Sequence, residues 1–266
     1  MKRLLVLAAL ALASAIIPAS ASAQTPSNGG VGEKYWIEFS ATWWQPNLRG
    51  SVSSDRLGVI GSQIDFAKDL DLGSARFTDF RLVLRPAKKH RFRFQYTPIA
   101  FTGDSVLSRD ITFAGKVYPI SLPVSSTLDW HVWRFGYEWD FFYRPRGFVG
   151  VVIQTGITQF DAGIDSIIGS AEASGTAPLV EFGLAGRVYP IRNLAVNMEG
   201  TYGKLTDLEP DHVLTSLALD FSATYNFTNY VGVSGGWRRT NTNLQIDSDR
   251  GDLTFSGFWL GGVVRY

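Results

Sequence analysis

The residues Arg91-Phe92-Arg93-Phe94-Gln95-Tyr96-Thr97-Pro98 alternate between polar and apolar side chains. Successive side chains of a β-strand point to opposite faces, so this pattern predicts a strand with one apolar face and one polar face. Segment 127–142 repeats it: Trp133, Phe135 and Tyr137 alternate with Arg134 and Gly136. The sequence therefore favours strands that separate an apolar environment from a polar one.

Ten such segments follow one another along the chain. We place them near 34–45, 75–86, 89–103, 127–142, 147–160, 177–189, 193–205, 213–227, 229–242 and 252–266. Short turns at 86–88, 144–146, 190–192 and 227–229 alternate with longer loops near 46–74, 104–126, 161–176, 206–212 and 243–251. An even number of such segments, joined by short turns on one side and long loops on the other, is typical of membrane β-barrels. The sequence predicts an all-β, antiparallel, up-and-down transmembrane barrel of ten strands over residues 34–266, with both termini in the periplasm.

The N-terminus has the features of a secretory signal peptide. Lys2 and Arg3 precede an apolar run at 4–17, and Ala21-Ser22-Ala23 is a small-residue cleavage site. About 14 apolar residues are too few to cross a bilayer as a helix. We therefore predict export, cleavage after residue 23, and a flexible polar lead over 24–33.

The last eight residues, 259–266, resemble the C-terminal assembly signal of bacterial outer-membrane β-barrels. The resemblance is carried by Gly261, Val264 and the terminal aromatic Tyr266, although the usual pattern has a polar residue where this chain has Trp259. It implies an integral outer-membrane location, contact with membrane lipid and lipopolysaccharide, and recognition of the last strand by the β-barrel assembly machinery. In build, the chain resembles the OmpX, OmpA-barrel and OmpW group of small outer-membrane barrels.

Composition argues against several classes of function. The 25 Lys and Arg nearly balance the 24 Asp and Glu, so the sequence predicts no basic surface for nucleic acid. The chain has no cysteine, which excludes disulfides, thiolate nucleophiles and thiolate metal sites. We predict neither a cofactor nor a metal site.

Aromatic residues gather near both ends of the predicted strands. Such residues form girdles at the two membrane interfaces of β-barrels. The candidates are Tyr35, Phe141, Tyr143, Tyr189, Tyr225, Tyr230 and Tyr266 on the short-turn side, and Trp43, Trp44, Phe101, Trp133, Phe160, Tyr202 and Trp237 on the long-loop side.

The alternation also predicts which charges face the lumen. Seven acids and eight arginines do so: Glu38, Asp79, Glu138, Asp140, Glu181, Glu199, Asp220, Arg81, Arg85, Arg91, Arg93, Arg134, Arg187, Arg238 and Arg265. A ten-stranded lumen is narrow, and a buried charge needs a partner. The sequence therefore favours a non-enzymatic barrel with a charge-plugged lumen and a structural or interaction role at the cell surface. The same charges could instead line a narrow channel for a small polar solute.

The third interpretation is an enzyme at the barrel rim. Omptin proteases are ten-stranded barrels with an Asp/His pair and a facing Asp pair at the extracellular rim, and the stretch 209–212 holds adjacent Asp211 and His212. Asp104 and Asp110 are the loose candidates for the facing pair. His131 would serve a lipid-A-modifying enzyme, whereas His90 lies at a periplasmic turn. The residues fit neither family's spacing, so solvated side chains are the favoured interpretation.

The first long loop contains three aspartates and four regularly spaced apolar residues. Asp65, Asp69 and Asp71 lack the glycine and glutamate of an EF-type calcium loop. We interpret the apolar set instead as a sign that the loop folds over the barrel mouth; it consists of Ile64, Phe66, Leu70 and Leu72.

Overall fold

The computed structural model describes residues 29–53, 62–72, 75–206, 213–246 and 249–266. The strands are β1 (Ile37–Ser53), β2 (Ile64–Asp65), β3 (Phe77–Ala87), β4 (His90–Val106), β5 (Ile111–Phe113), β6 (Lys116–Tyr118), β7 (Pro123–Arg144), β8 (Gly147–Ser166), β9 (Ala171–Ile191), β10 (Leu194–Thr206), β11 (Val213–Asn226), β12 (Val231–Ile246) and β13 (Asp249–Arg265). No helix in these ranges is long and apolar enough to cross a membrane. The predicted signal peptide lies outside the described residues and stays a prediction.

Ten of these strands close into a barrel. Each pairs antiparallel with its neighbours in the order β1, β3, β4 and β7 to β13, and β13 pairs back with β1. The short β2 adds to β1, and β5 and β6 form a separate hairpin. The predicted ten-stranded, up-and-down barrel is confirmed. The closing seam needs glycine at 261, because a Cβ there would lie 2.4 Å from the carbonyl oxygen of Ala41 on β1.

The first strand begins later than predicted, which changes two orientations. The backbone amides of Trp36 and Ile37 both donate to the carbonyl of Tyr266, at 2.6 and 3.0 Å, so regular alternation starts only at Ile37. As a girdle candidate, Tyr35 was expected on the outer face, and alternation then put Trp36 inside. In the structure Tyr35 is buried and Trp36 is 67% exposed.

Several strands are longer than a bilayer requires. β7, β8 and β9 have 22, 20 and 21 residues, whereas a tilted strand crosses the hydrocarbon in about 9–11. Along β7 the polarity of the two faces reverses part way up. In the middle of the strand Arg134 points in and Phe135 points out, but toward the long-loop end Trp130 is buried inside and Thr127 is exposed outside. The outer face is therefore apolar only over the part of the barrel that lipid would cover.

An apolar core fills the half of the barrel at the long-loop end, which is the extracellular end in the predicted orientation. The loop at 62–72 folds inward and contributes Ile64, Phe66, Leu70 and Leu72, each at most 4% exposed, which confirms the predicted loop over the mouth. The β5–β6 hairpin adds further buried side chains. The strands supply the rest, including Trp44, Phe101, Leu128, Trp130 and Phe255.

The aromatic girdles are less complete than the sequence indicated. Eight of the fourteen candidates lie on the outer face: Phe141, Tyr225, Tyr230, Tyr266, Trp43, Trp133, Tyr202 and Trp237. The other six point inward, where they pack in the apolar core or contact interior charged residues: Tyr35, Tyr143, Tyr189, Trp44, Phe101 and Phe160.

Candidate functional site

The candidate site is the charged interior below the apolar core. At its centre the Arg238 guanidinium bridges two carboxylates, with Nη1 2.7 Å from Asp79 and Nε 2.7 Å from Asp220. Glu199 accepts from Arg93 at 2.6 Å and lies 3.6 Å from Arg81. These contacts cross the lumen, since they join β12 to β3 and β10 to β4. They form a belt of paired charge across the middle of the barrel.

A second pair lies beside this belt, closer to the apolar core. Glu181 is fully buried and accepts hydrogen bonds from Arg134 at 3.1 Å, Gln154 at 2.7 Å and Ser216 at 2.9 Å. A buried carboxylate with three donors has its desolvation offset by charge-assisted bonds. This pair is therefore a fixed part of the wall.

The remaining predicted charges lie toward the periplasm. Arg91 contacts Glu138 at 2.5 Å and Asp140 at 2.6 Å. Arg265 pairs with Glu38 across the seam between β13 and β1. The structure places all fifteen predicted lumen charges on the inner face, and each has a polar or charged partner.

One acid of this network was missed by the sequence analysis. Glu33 is 3% exposed and lies within the predicted lead, yet its carboxylate contacts Arg85 at 3.2 Å, Arg91 at 3.5 Å and Arg187 at 3.5 Å. It also accepts a hydrogen bond from the hydroxyl of Tyr189 at 3.0 Å. With it, the charged interior formed by the described residues holds eight acids and eight arginines.

The segment that carries Glu33 packs against the short turns at the periplasmic end, which corrects the prediction of a flexible lead for its described part, 29–33. The amide of Gly30 donates to Pro145 at 2.9 Å, and that of Val31 donates to Arg192 at 2.7 Å. A Cβ on Gly30 would lie 2.4 Å from the ring of Tyr189, so only glycine lets the chain approach so closely. The glycines around Val31 were therefore the sequence signal for this packed segment.

Two small cavities remain among the charges. One, of about 60 Å³, lies above the Arg238 level and the other, of about 110 Å³, lies below it. Arg81, Glu199, Asp220 and Arg238 line both, so the two cavities adjoin at this layer. Each has room for a few water molecules. The described interior therefore holds two small polar cavities between the apolar core and the segment around Glu33.

A salt bridge fixes the loop that covers the mouth. Arg109 donates to Asp69 at 2.6 Å and to the carbonyl of Gln63 at 2.5 Å, joining the segment that precedes β5 to the loop at 62–72. Burial disfavours the Asp69 anion, but the bonds from Arg109 and from the backbone amide of Asp65 outweigh it and lower the pKa of Asp69. The loop is therefore held more firmly when Asp69 is ionised.

The residues considered for rim chemistry do not come together where the structure describes them. His131 lies on the outer face, with Nδ1 3.0 Å from the Tyr96 hydroxyl, while His90 is at the opposite end with Nδ1 2.5 Å from Tyr137. Asp110 accepts the backbone amide of Ile120 at 2.7 Å, and Asp104 is exposed on β4. Asp211 and His212 lie outside the described residues. No group of three or more metal-ligating side chains occurs in the described part of the chain.

The C-terminal residues of the predicted assembly signal lie at the seam. Val264 and Tyr266 are exposed on the outer face, and Gly261 faces inward against β1. The backbone of Tyr266 pairs with Ile37 at 2.8 Å and with Trp36 at 2.6 Å. The last strand is therefore held on both edges, by β12 and by β1.

Comparison with known proteins supports the fold. No protein-family model matches the chain, and no curated sequence matches it significantly. The outer-membrane protease OmpT from Escherichia coli is 14% identical and has a TM-score of 0.51, with 86% of this chain and 97% of OmpT covered. Ail, the attachment invasion locus protein of Yersinia pestis, is 14% identical over 86% of this chain and 99% of Ail, with a TM-score of 0.38. The toluene transporter TodX of Pseudomonas putida is 7% identical over 90% and 91%, with a TM-score of 0.37. The chain has the fold of an outer-membrane β-barrel.

Proposed function

We propose that the protein is a closed, non-enzymatic barrel of the bacterial outer membrane, with a structural or interaction role at the cell surface. The observation that carries the proposal is the filling of the interior at three successive levels. The loop at 62–72 and its apolar core occupy the extracellular half, the belt around Arg238 crosses the middle, and Glu33 closes the periplasmic end. An open pore would need all three to move.

The location follows from the outer surface. Its membrane-facing part is covered by exposed apolar side chains, such as Phe92, Phe135, Ile153, Phe182 and Phe221. A soluble protein rarely exposes so large a continuous apolar surface. Export through the predicted signal peptide, contact with lipopolysaccharide, and recognition of Gly261, Val264 and Tyr266 by the assembly machinery belong to the same proposal.

An interaction role follows from the part of the barrel above the membrane. The upper ends of β7, β8 and β9 carry polar outer faces. The loop at 62–72 is held rigidly by the apolar core and by Arg109. A rigid, polar projection is suited to contact with other molecules at the cell surface. The charges within the barrel, by contrast, are paired with one another.

Planar-bilayer recording tests the closed state. Purified protein should insert and give little or no steady conductance. Insertion is checked separately by the heat-modifiable gel mobility of a folded barrel. Stable, ion-selective currents from the wild-type protein would overturn the proposal in favour of a channel for a small polar solute. Proteolytic or lipid-A-modifying activity that disappears in His131→Ala or His212→Ala would overturn it in favour of a rim enzyme.

A further inference from the structure

The short turns at the periplasmic end carry only cationic charged side chains. Five residues of the turns at 86–89, 144–147 and 190–193 are exposed and positively charged: Lys88, Lys89, Arg144, Arg146 and Arg192. Lys34, which precedes the first strand, is also exposed. The described residues of these turns include no Asp or Glu. The extracellular side differs, since exposed Asp104 and Asp252 accompany Lys204 and Arg239. The excess positive charge is therefore confined to one end of the barrel.

An apolar groove lies on the outer face next to two of these turns. It has a volume of about 420 Å³ and is lined by Tyr137, Trp139, Val151, Ile153 and Phe182, with His90 at its periplasmic end. Its walls come from β7, β8 and β9, where Tyr137 pairs with Ile153 and Ile153 with Phe182. The groove faces away from the lumen, so what fills it comes from the membrane.

Backbone contacts connect the groove to the cations. The carbonyl of Lys89 accepts the amide of Asp140 at 2.9 Å, which places the first turn against β7 directly after Trp139. At the second turn the Arg144 guanidinium lies 5.3 Å from the ring centre of exposed Phe142. The hydroxyl of Tyr137 and Nδ1 of His90 are 2.5 Å apart and add polar groups at the same end. The apolar groove thus ends at His90 and Tyr137, beside the turn that carries exposed Lys88 and Lys89, and these residues form a polar, cationic border at the depth where a lipid headgroup would lie.

The geometry points to a binding site for an anionic phospholipid of the periplasmic leaflet. An acyl chain fits the apolar groove, and the phosphate of a headgroup with net negative charge fits the border formed by His90, Lys88 and Lys89. A soluble phosphate would leave the groove empty. A zwitterionic lipid would fill the groove but would gain less from the cations. The inference rests on the proposed placement of the barrel in a membrane.

Native mass spectrometry of the intact protein, extracted from vesicles of phosphatidylcholine mixed with phosphatidylglycerol, tests the site. The wild-type protein should retain phosphatidylglycerol in preference to phosphatidylcholine. Each cation near a membrane surface contributes roughly fivefold, so Lys88→Gln/Lys89→Gln should reduce the preference on the order of 25-fold. The matched control, Lys204→Gln/Arg239→Gln, removes two exposed charges at the opposite end and should leave the preference unchanged.

A second variant separates the groove from the charges. Ile153→Trp fills the groove and should reduce retention of both lipids, while the protein keeps its heat-modifiable mobility. Equal retention of the two lipids by the wild type, or equal losses in the two double variants, would overturn the site. A lipid-free dimer that Ile153→Trp disrupts would assign the groove to a second copy instead and would also overturn it. A wild-type protein without heat-modifiable mobility would refute the proposed membrane barrel itself. A wild-type protein that has this mobility but shows no lipid preference would refute only the lipid site.

Discussion

Replacement of Glu33 by alanine tests whether the N-terminal segment is part of the barrel interior. The change removes one carboxylate that contacts Arg85, Arg91 and Arg187. Arg91 keeps Glu138 and Asp140 as partners. The other two arginines have Glu33 as their ion-pair partner among the described residues, so they bear most of the loss.

The size of the effect follows from burial. The side chains of Arg85 and Glu33 are each 4% exposed, so solvent screens the lost interaction little. Breaking a buried pair by removing one partner costs about 3–5 kcal/mol, because the other charge stays buried and uncompensated. Burial already leaves Nε of Arg85 and Nε of Arg91 without acceptors in the described structure, so neither can easily find a new one. At an m-value of about 4 kcal/mol per molar in guanidinium chloride, the unfolding midpoint should fall by roughly 1 M.

Equilibrium unfolding of the folded protein in lipid vesicles, followed by tryptophan fluorescence, measures this shift. Lys34→Ala is the matched control, since Lys34 is the next residue and is exposed; its midpoint should stay within error of the wild type. Equal midpoints for the two variants would refute the packed position of Glu33. Glu33→Gln separates charge from shape, and it should lose most of the same stability because the arginines remain uncompensated.

Three further predictions test other parts of the molecule. Arg134→Ala should lower the unfolding midpoint, and a second change, Glu181→Gln, should recover part of the loss because it removes the stranded charge; strict additivity of the two losses would contradict the pairing. Phe135→Arg should cost about 2–4 kcal/mol in vesicles, as expected for a charge on the lipid face, whereas Thr127→Arg on the same face of the same strand should cost much less, and similar costs would place the membrane boundary elsewhere. The pKa of Asp69 is lowered in the folded state. The Asp69 carboxylate therefore contributes fully to holding the loop at 62–72 above the ordinary aspartate pKa of 3.8, and this contribution is lost as the pH falls through the lowered pKa. The free energy of opening of the loop at 62–72, measured by hydrogen exchange, should therefore fall on acidification through the lowered pKa of Asp69, and Asp69→Asn should lower it at neutral pH. An opening free energy that neither change alters would contradict the role of the Asp69–Arg109 salt bridge.

The alternation of polar and apolar residues was enough to predict the architecture. In a strand the side-chain period is two, so a sequence such as that around Phe94 or Phe135 specifies both a strand and its two environments. The same rule placed all fifteen lumen charges on the inner face. Strand pairing could be inferred as well, because short turns leave little choice except antiparallel neighbours.

The partners of the lumen charges could not be inferred in this way. Arg93 and Glu199 are 106 residues apart, and Arg238 and Asp79 are 159 apart. Alternation says that a side chain points inward, but the curvature and stagger of the closed barrel decide which inward side chains meet across the lumen. Each acid could have paired with several arginines on sequence grounds.

The same limit explains why the sequence did not predict the buried position of Glu33 or the reversal of polarity along β7. Glu33 precedes the first regular strand, so no periodicity assigned it a direction, and only closure of the barrel brought Arg85, Arg91 and Arg187 around it. Above the membrane, water instead of lipid surrounds the wall, so Trp130 packs inward in the apolar core. The local pattern thus determined that this protein is a ten-stranded barrel with a charged interior. How that interior is closed depended on contacts between residues far apart in the chain, which no short-range periodicity encodes.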